Sequence, residues 1–258
     1  MSERVALRKE GTVAFIEIQR PERHNALDVA TAEAFLRQCQ EVDRDRSVRA
    51  VVLAGQGASF GVGGDLNELK VDGPGNARKI IEPMHEAVML LARLDAPVIA
   101  KLRGTVAGGS MSLALACDLA IAADGARFNF AYTNAATTAD LGGSWSLPRL
   151  VGLRSAMWLA LTNETIGAER ALALGLINKV VPDEQLDDEV AGMAQRLATG
   201  PTRALGRMKY LLRNGGESEL PDQLAIELSC FLESARTADF REAIDAILEK
   251  RPARFIGA

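Results

Sequence analysis

Two glycine clusters constrain what this chain can fold into. Gly61-Val62-Gly63-Gly64-Asp65-Leu66 follows the apolar run Ala50–Leu53. Gly104-Thr105-Val106-Ala107-Gly108-Gly109 follows Pro97–Leu102 and leads into the apolar stretch Ser110–Ala116. A short continuous apolar run bounded by turn residues fits a strand buried on both faces. An apolar stretch with no polar stripe fits a buried helix. A strand, a glycine loop and a helix therefore recur, which makes the chain α/β with repeated units.

The junction itself suggests chemistry. A helix N-terminus presents unpaired N–H groups and a positive dipole end. Glycine lets a ligand come close to the backbone. Two such N–H groups aimed at one oxygen would hold an oxyanion, and losing one donor of this kind costs about 3–4 kcal/mol of transition-state stabilisation. Other glycine motifs do not fit. The first cluster lacks the last glycine of GxGxxG. In the second, Ser110-Met111 stands where a phosphate-binding loop needs Lys-Ser/Thr. Gly-Gly-Ser-Met-Ser is not the G-x-S-x-G of a nucleophile elbow. Taken singly, each cluster reads better as a tight turn.

Flanking patterns complete the organisation. Val5–Leu7 and Val13–Ile18 read as a hairpin around Lys9-Glu10-Gly11. Asp28 caps a helix reaching Arg44. Leu66 opens a helical turn, residues 71–76 read as a loop, and Ala77–Leu94 as an amphipathic helix. Leu119–Ala122 and Arg127–Phe130 read as short strands. From Trp145 onward the pattern is mostly helical, with Trp158 read as core. Residues 200–258 carry too little apolar content for a core of their own, so they pack on the body or on another subunit.

Composition narrows the classes. Of 258 residues, 48% are hydrophobic and 25% charged, with a net charge of −4. This balance gives no support for nucleic-acid binding. Three scattered cysteines without a CxxC fit a reducing compartment, hence a cytoplasmic protein. Two histidines make a histidine-based zinc site an unsuitable reading. The N-terminal ten residues lack the apolar region of a signal peptide. The apolar stretch Met111–Ala123, broken by Asp118, is too short to span a bilayer.

The candidate acid/base is Asp140, in Ala139-Asp140-Leu141-Gly142-Gly143-Ser144-Trp145. Aspartate before two glycines also suits a plain turn. As a base it needs a raised pKa, which Trp145 and other apolar neighbours would supply by desolvation.

At these residues the chain resembles the crotonase superfamily, also called the enoyl-CoA hydratase/isomerase family. The resemblance runs from about Val13 to Phe255. It is carried by Arg20-Pro21-Glu22-Arg23-His24-Asn25-Ala26-Leu27, by the two glycine loops, and by Leu113–Asp118. Leu150-Val151-Gly152, Ala173–Ile177 and Glu249–Phe255 complete it. The resemblance implies a spiral of repeated ββα units with a C-terminal helical region that trimerises. Residues 1–199 would form the core with the acyl-CoA site, and 200–258 the helical region. It implies a homotrimer or dimer of trimers. It also implies a thioester carbonyl held by the N–H groups of Gly64 and Gly109, with no metal or redox cofactor, coenzyme A being part of the substrate. Arg23, His24, Ala26, Val62, Asp65, Leu66, Ser112, Trp145 and Phe255 are then candidates for substrate contact.

The departures from the family pattern direct the chemistry. Where hydratases of the family carry two glutamates, this chain has Ser112 and Tyr132, so hydration of a 2-enoyl-CoA is not expected. Asp140 matches the position where some isomerases of the family carry their sole carboxylate. The surrounding residues look like the ring-1,2-epoxyphenylacetyl-CoA isomerase group. The chain is also similar to 4-chlorobenzoyl-CoA dehalogenases, whose nucleophilic aspartate matches Asp140, whose histidine base matches His85 and whose indole matches Tyr132. The leading expectation is an acyl-CoA isomerase. A dehalogenase is the alternative, and a non-catalytic acyl-CoA-binding subunit a third reading.

Overall fold

The structure, a computed structural model, describes residues 4–216 and 218–258. Residues 1–3 of the N-terminal segment lie outside them. The hairpin forms as β1 (Val5–Glu10) and β2 (Val13–Ile18), antiparallel with Val5 opposite Ile18. Helix α1 (Val29–Arg44) begins at Asp28, whose carboxylate accepts the Thr31 N–H at 2.7 Å. β3 (Ala50–Gly55) follows, running parallel to β2.

Next come α2 (Leu66–Val71) and α3 (Gly73–Arg93). The loop expected at 71–76 is instead largely the first turn of α3. Asp72 caps it by accepting the Gly75 N–H at 3.0 Å, and Pro74 sits in the first turn, where its missing N–H costs nothing. A Gly-Pro-Gly run read as a loop was a helix start.

The spiral is visible in how the strands are dealt out. β4 (Val98–Leu102) joins a large sheet, β5 (Thr105–Ala107) joins a small one, and α4 (Gly108–Ala116) follows. β6 (Leu119–Ala123), β7 (Arg127–Asn129) and α5 (Gly143–Thr162) repeat the pattern. Then come β8 (Ile166–Gly167), α6 (Ala168–Ala173), β9 (Lys179–Val181) and four C-terminal helices: α7 (Leu186–Ala198), α8 (Thr202–Asn214), α9 (Leu220–Ala235) and α10 (Ala238–Leu248). The large sheet has the order β1-β2-β3-β4-β6-β9, parallel from β2 onward, and the small sheet the order β5-β7-β8. Two- and three-residue strands carry too little periodicity to stand out in a sequence, so β5, β8 and β9 are additions to the expected elements.

The core lies on both faces of the parallel strands. One side packs α1, α3 and α4 through Phe35, Met84, Leu91, Met111 and Leu113. The other packs α7 through Leu186, Val190 and Ala194. The tail docks by polar ties. Asp118 accepts ion pairs from Lys209 at 2.7 Å and Arg213 at 2.8 Å on α8. Arg49 donates to the carbonyl of Phe255 at 3.1 Å. Helix α9 buries none of its residues against this chain, and Leu224, Leu228, Phe231 and Leu232 on it are exposed. Trp158, expected in the core, is 62% exposed, and its indole N–H donates to Glu164.

Candidate functional site

Each glycine loop is fixed by backbone bridges. Leu27 pairs in parallel fashion with Gly64, and Gly61 with Val106 of β5. Leu27 N–H donates to Gly63 O at 2.8 Å, and Asp65 N–H to Leu27 O at 2.9 Å. In a parallel pair the neighbours of Gly64 make those bonds, so the N–H of Gly64 itself points away from Leu27. Gly109 is the second residue of α4, among the positions that leave the N–H without an intrahelical acceptor. The two loops touch. Gly63, at φ +87°, lies so close that a Cβ on it would stand 2.9 Å from Gly109 N. Ser110 supports the approach, its hydroxyl accepting the Gly63 N–H at 3.1 Å. Buried Asn25 braces the first loop, donating to Ser59 O at 2.7 Å and Gln56 O at 3.0 Å.

Gly64 and Gly109 border a cavity of about 520 Å³. Val62, Leu66 and Leu69 form one wall and Ala77, Ile80, Ile81 and His85 another. Ala131, Tyr132, Asn134, Ala135, Thr137, Thr138, Ala139 and Asp140 close it. Ala77, Ile81 and His85 recur every four residues on α3 and so share one face. That spacing is itself legible in the sequence. Among the described residues, Asp140 is the one carboxylate on the cavity wall.

Asp140 stands against the second glycine loop. A Cβ on Gly109 would lie 3.3 Å from its Oδ1. The loop around it is tightly bent, since Ala131, Ala136 and Leu141 all have positive φ, a conformation that costs L-residues of order 1–2 kcal/mol. The bend is held: Asp140 O accepts the Gly143 N–H at 2.8 Å, and His85 Nε2 accepts the Leu141 N–H at 3.1 Å. The two glycines that follow permit the packing. Gly142 begins α5 at φ +76°, and a Cβ on Gly143 would run into Ser112 Oγ.

A row of hydroxyls leads to the carboxylate. Ser112 Oγ lies 2.7 Å from Tyr132 Oη, and Tyr132 Oη 2.5 Å from Asp140 Oδ1. Burial pushes the Asp140 carboxyl above the usual carboxylate range, opposed by the Tyr132 hydrogen bond and by His85. Burial, and then the Asp140 charge, push the Tyr132 phenol above its ordinary value.

The other candidates divide. Val62 and Leu66 line the cavity. Ser112 is fully buried and meets Asp140 only through Tyr132. Asp65 faces inward, ion-paired with Arg20 at 2.7 Å while capping α2 through the Asn67 N–H. It supports the loop; its carboxylate is not on the cavity wall. Ala26 is buried beside that loop, whereas Arg23 and His24 are exposed on a tight turn. Trp145 is not the group that dries Asp140. It lies on the outer side of the Leu141–Gly142 turn, with the Arg149 guanidinium 4.1 Å from its ring centroid. The first turn of α5 carries the ring outward, and the desolvation comes from the walls named above. Phe255 sits on the C-terminal segment tied to Arg49, outside the lining of this cavity.

A family model described as enoyl-CoA hydratase/isomerase matches residues 8–258. The chain belongs to the enoyl-CoA hydratase/isomerase family. Relatives within it differ in chemistry. A 1,2-epoxyphenylacetyl-CoA isomerase of Escherichia coli (strain K12) is 37% identical, covering 100% of both chains. A 4-chlorobenzoyl coenzyme A dehalogenase of Arthrobacter sp. is 33% identical over 90% of this chain and 86% of its own. A crystal structure of an enoyl-CoA hydratase from Polaromonas sp. JS666 superposes with a TM-score of 0.92 at 32% identity, covering 97% of this chain and 99% of that one.

Proposed function

We propose that this enzyme is an acyl-CoA isomerase that shifts a double bond through a thioester enolate. One observation carries the reading: Asp140 stands against Gly109, its Oδ1 3.3 Å from where a Cβ on that glycine would lie, and among the described residues it is the one carboxylate on the cavity wall. The thioester oxygen takes the N–H groups of Gly64 and Gly109. Asp140 removes a proton from the carbon beside the thioester carbonyl or from the vinylogous carbon. The electron pair moves onto the oxygen, and the two N–H groups stabilise the enolate. Asp140 then returns the proton at the other carbon. One carboxylate suffices, because proton removal and return can be done in turn by the same group. Hydration needs a base to take a proton from water as it adds to the β-carbon and an acid to protonate the carbon beside the thioester, and Ser112 and Tyr132 supply no carboxylate for either task.

Acyl-CoA is the substrate, coenzyme A arrives with it, and no separate cofactor takes part. Among the described residues no helix is long and apolar enough to cross a membrane, and we assign the enzyme to the cytoplasm. We assign the assembly as a homotrimer or dimer of trimers, supported by the uncovered apolar face of α9.

Dehalogenation with Asp140 as nucleophile is the second reading, favoured by His85 on the same wall. Against it, His85 Nε2 already accepts the Leu141 N–H, so that nitrogen is engaged with the backbone instead of a water. The test is a panel of unsaturated and aryl acyl-CoAs in deuterium oxide, followed by mass spectrometry with isomers resolved by chromatography. Deuterium entering beside the thioester or at the vinylogous carbon, together with a new isomer, supports the isomerase. Hydration of most substrates with no isomer formed overturns it.

A further inference from the structure

The buried hydroxyls beside Asp140 have a use that no step above assigns. We propose that Tyr132 and Ser112 are positioning residues, two hydroxyls in series that keep Asp140 charged, tie down Oδ1 and leave Oδ2 to exchange the substrate proton. This rests on the acid/base role of Asp140 proposed above.

The direction of the chain follows from donor and acceptor capacity. An ionised carboxylate only accepts. The Tyr132 O–H therefore donates to Asp140 Oδ1 at 2.5 Å, and its oxygen accepts from the Ser112 O–H at 2.7 Å. Hydroxyls in series polarise one another, and the low dielectric of a buried site strengthens both bonds. Water cannot take their place readily, since Ser112 is fully buried and Tyr132 is 7% exposed.

The geometry is built rather than incidental. Ser112 rides on α4, three residues after Gly109, so the relay begins on the helix that supplies the oxyanion N–H. The Tyr132 ring is held edge-on against Phe130, with centroids 5.0 Å apart. Left-handed Ala131 precedes it. The missing Cβ of Gly143 leaves the space that Ser112 Oγ fills.

The titratable groups facing Asp140 are few. Helix α3 brings His85, and the turn at Tyr132–Ala135 brings the tyrosine. Helix α4 has no ionisable side chain, and the first turn of α5 presents Gly143 and Ser144. Burial works against the charged form, and Tyr132 works for it. Removing the phenol hydroxyl should thus make Asp140 easier to protonate.

The experiment is a carbon-13 NMR titration of carboxyl-labelled aspartate in the intact enzyme without substrate, with the Asp140 signal assigned by its loss in Asp140→Asn. Tyr132→Phe keeps the ring and removes the donor. Its Asp140 midpoint should rise by about one pH unit or more, the size of a hydrogen bond to a charged group. Ser112→Ala should move it the same way by less. On a turned-over acyl-CoA, the acid limb of kcat/KM should follow the same upward shift, with KM changed less than about twofold. An unchanged midpoint in folded Tyr132→Phe overturns the relay, as does a drop in affinity alone. If Tyr132→Phe is misfolded by circular dichroism, an unchanged midpoint in Ser112→Ala overturns it. A shifted midpoint in an enzyme that exchanges no proton on any acyl-CoA supports the relay and overturns the proposed isomerase.

Discussion

His85 Nε2 accepts the backbone N–H of Leu141 at 3.1 Å, so a side chain of α3 holds the residue next to the candidate acid/base. Leu141 is buried and left-handed, at φ +48°. The bond stabilises a conformation that leucine disfavours, and it ties the aspartate loop to a cavity wall.

His85→Gln retains an acceptor and should change turnover only modestly, whereas His85→Ala should release the loop and cost more. With 4-chlorobenzoyl-CoA in a single turnover, no ester should build up on the peptide containing Asp140. An ester that accumulates in His85→Gln would transfer the assignment to a dehalogenase with a histidine-activated water.

Asp140→Asn should lose about 10²–10⁴ in turnover and gain stability. A buried carboxyl whose folded pKa is raised binds its proton longer in the folded state than in the unfolded one. Its unfavourable contribution therefore grows as pH rises from the unfolded pKa through the folded pKa, and is fully present above the folded pKa. An uncharged amide escapes it. Thermal unfolding at pH 7 should show a midpoint higher by about 1–4 °C; a lower midpoint would mean that the charge supports the fold.

Gly109→Pro should lose activity. Proline is tolerated in the first turn of a helix, where the lost N–H has no intrahelical acceptor. That N–H is the proposed oxyanion donor, so activity should fall at least about 100-fold. Full activity in a folded variant would remove Gly109 from the site.

Crotonyl-CoA should be hydrated poorly, well under the roughly 10 s⁻¹ typical of enzymes. A steady-state assay following loss of the enoyl absorbance decides it, and turnover at or above that rate would show that Ser112 and Tyr132 have been misread.

In solution the chain should have the mass of three or six copies by sedimentation, and Leu228→Glu on the exposed face of α9 should dissociate it. A monomer at micromolar concentration would contradict the assembly.

Much of this was legible in the sequence for identifiable reasons. Asp28 announced α1 because a cap places its signal on one residue, and the hairpin of β1 and β2 declared itself through a turn between alternating runs. The two glycine loops and Asp140 could be marked as chemistry, and their meeting at Gly109 was a matter of distance that no linear pattern contains. The direction of Trp145 was misjudged because helical phase at a first turn depends on where the helix starts. That start is set by the left-handed Gly142, and the ring lies outside the cavity lining. The link from Ser112 to Tyr132 joins residues on separate elements and leaves no mark on either segment alone.

The pairing of Leu27 with Gly64 and of Gly61 with Val106 builds the proposed oxyanion site from main chain. Side chains around such a site are free to vary without disturbing it. A substitution at a cavity position such as Asp140 or Tyr132 would then change the acid/base groups and leave the proposed main-chain donors in place.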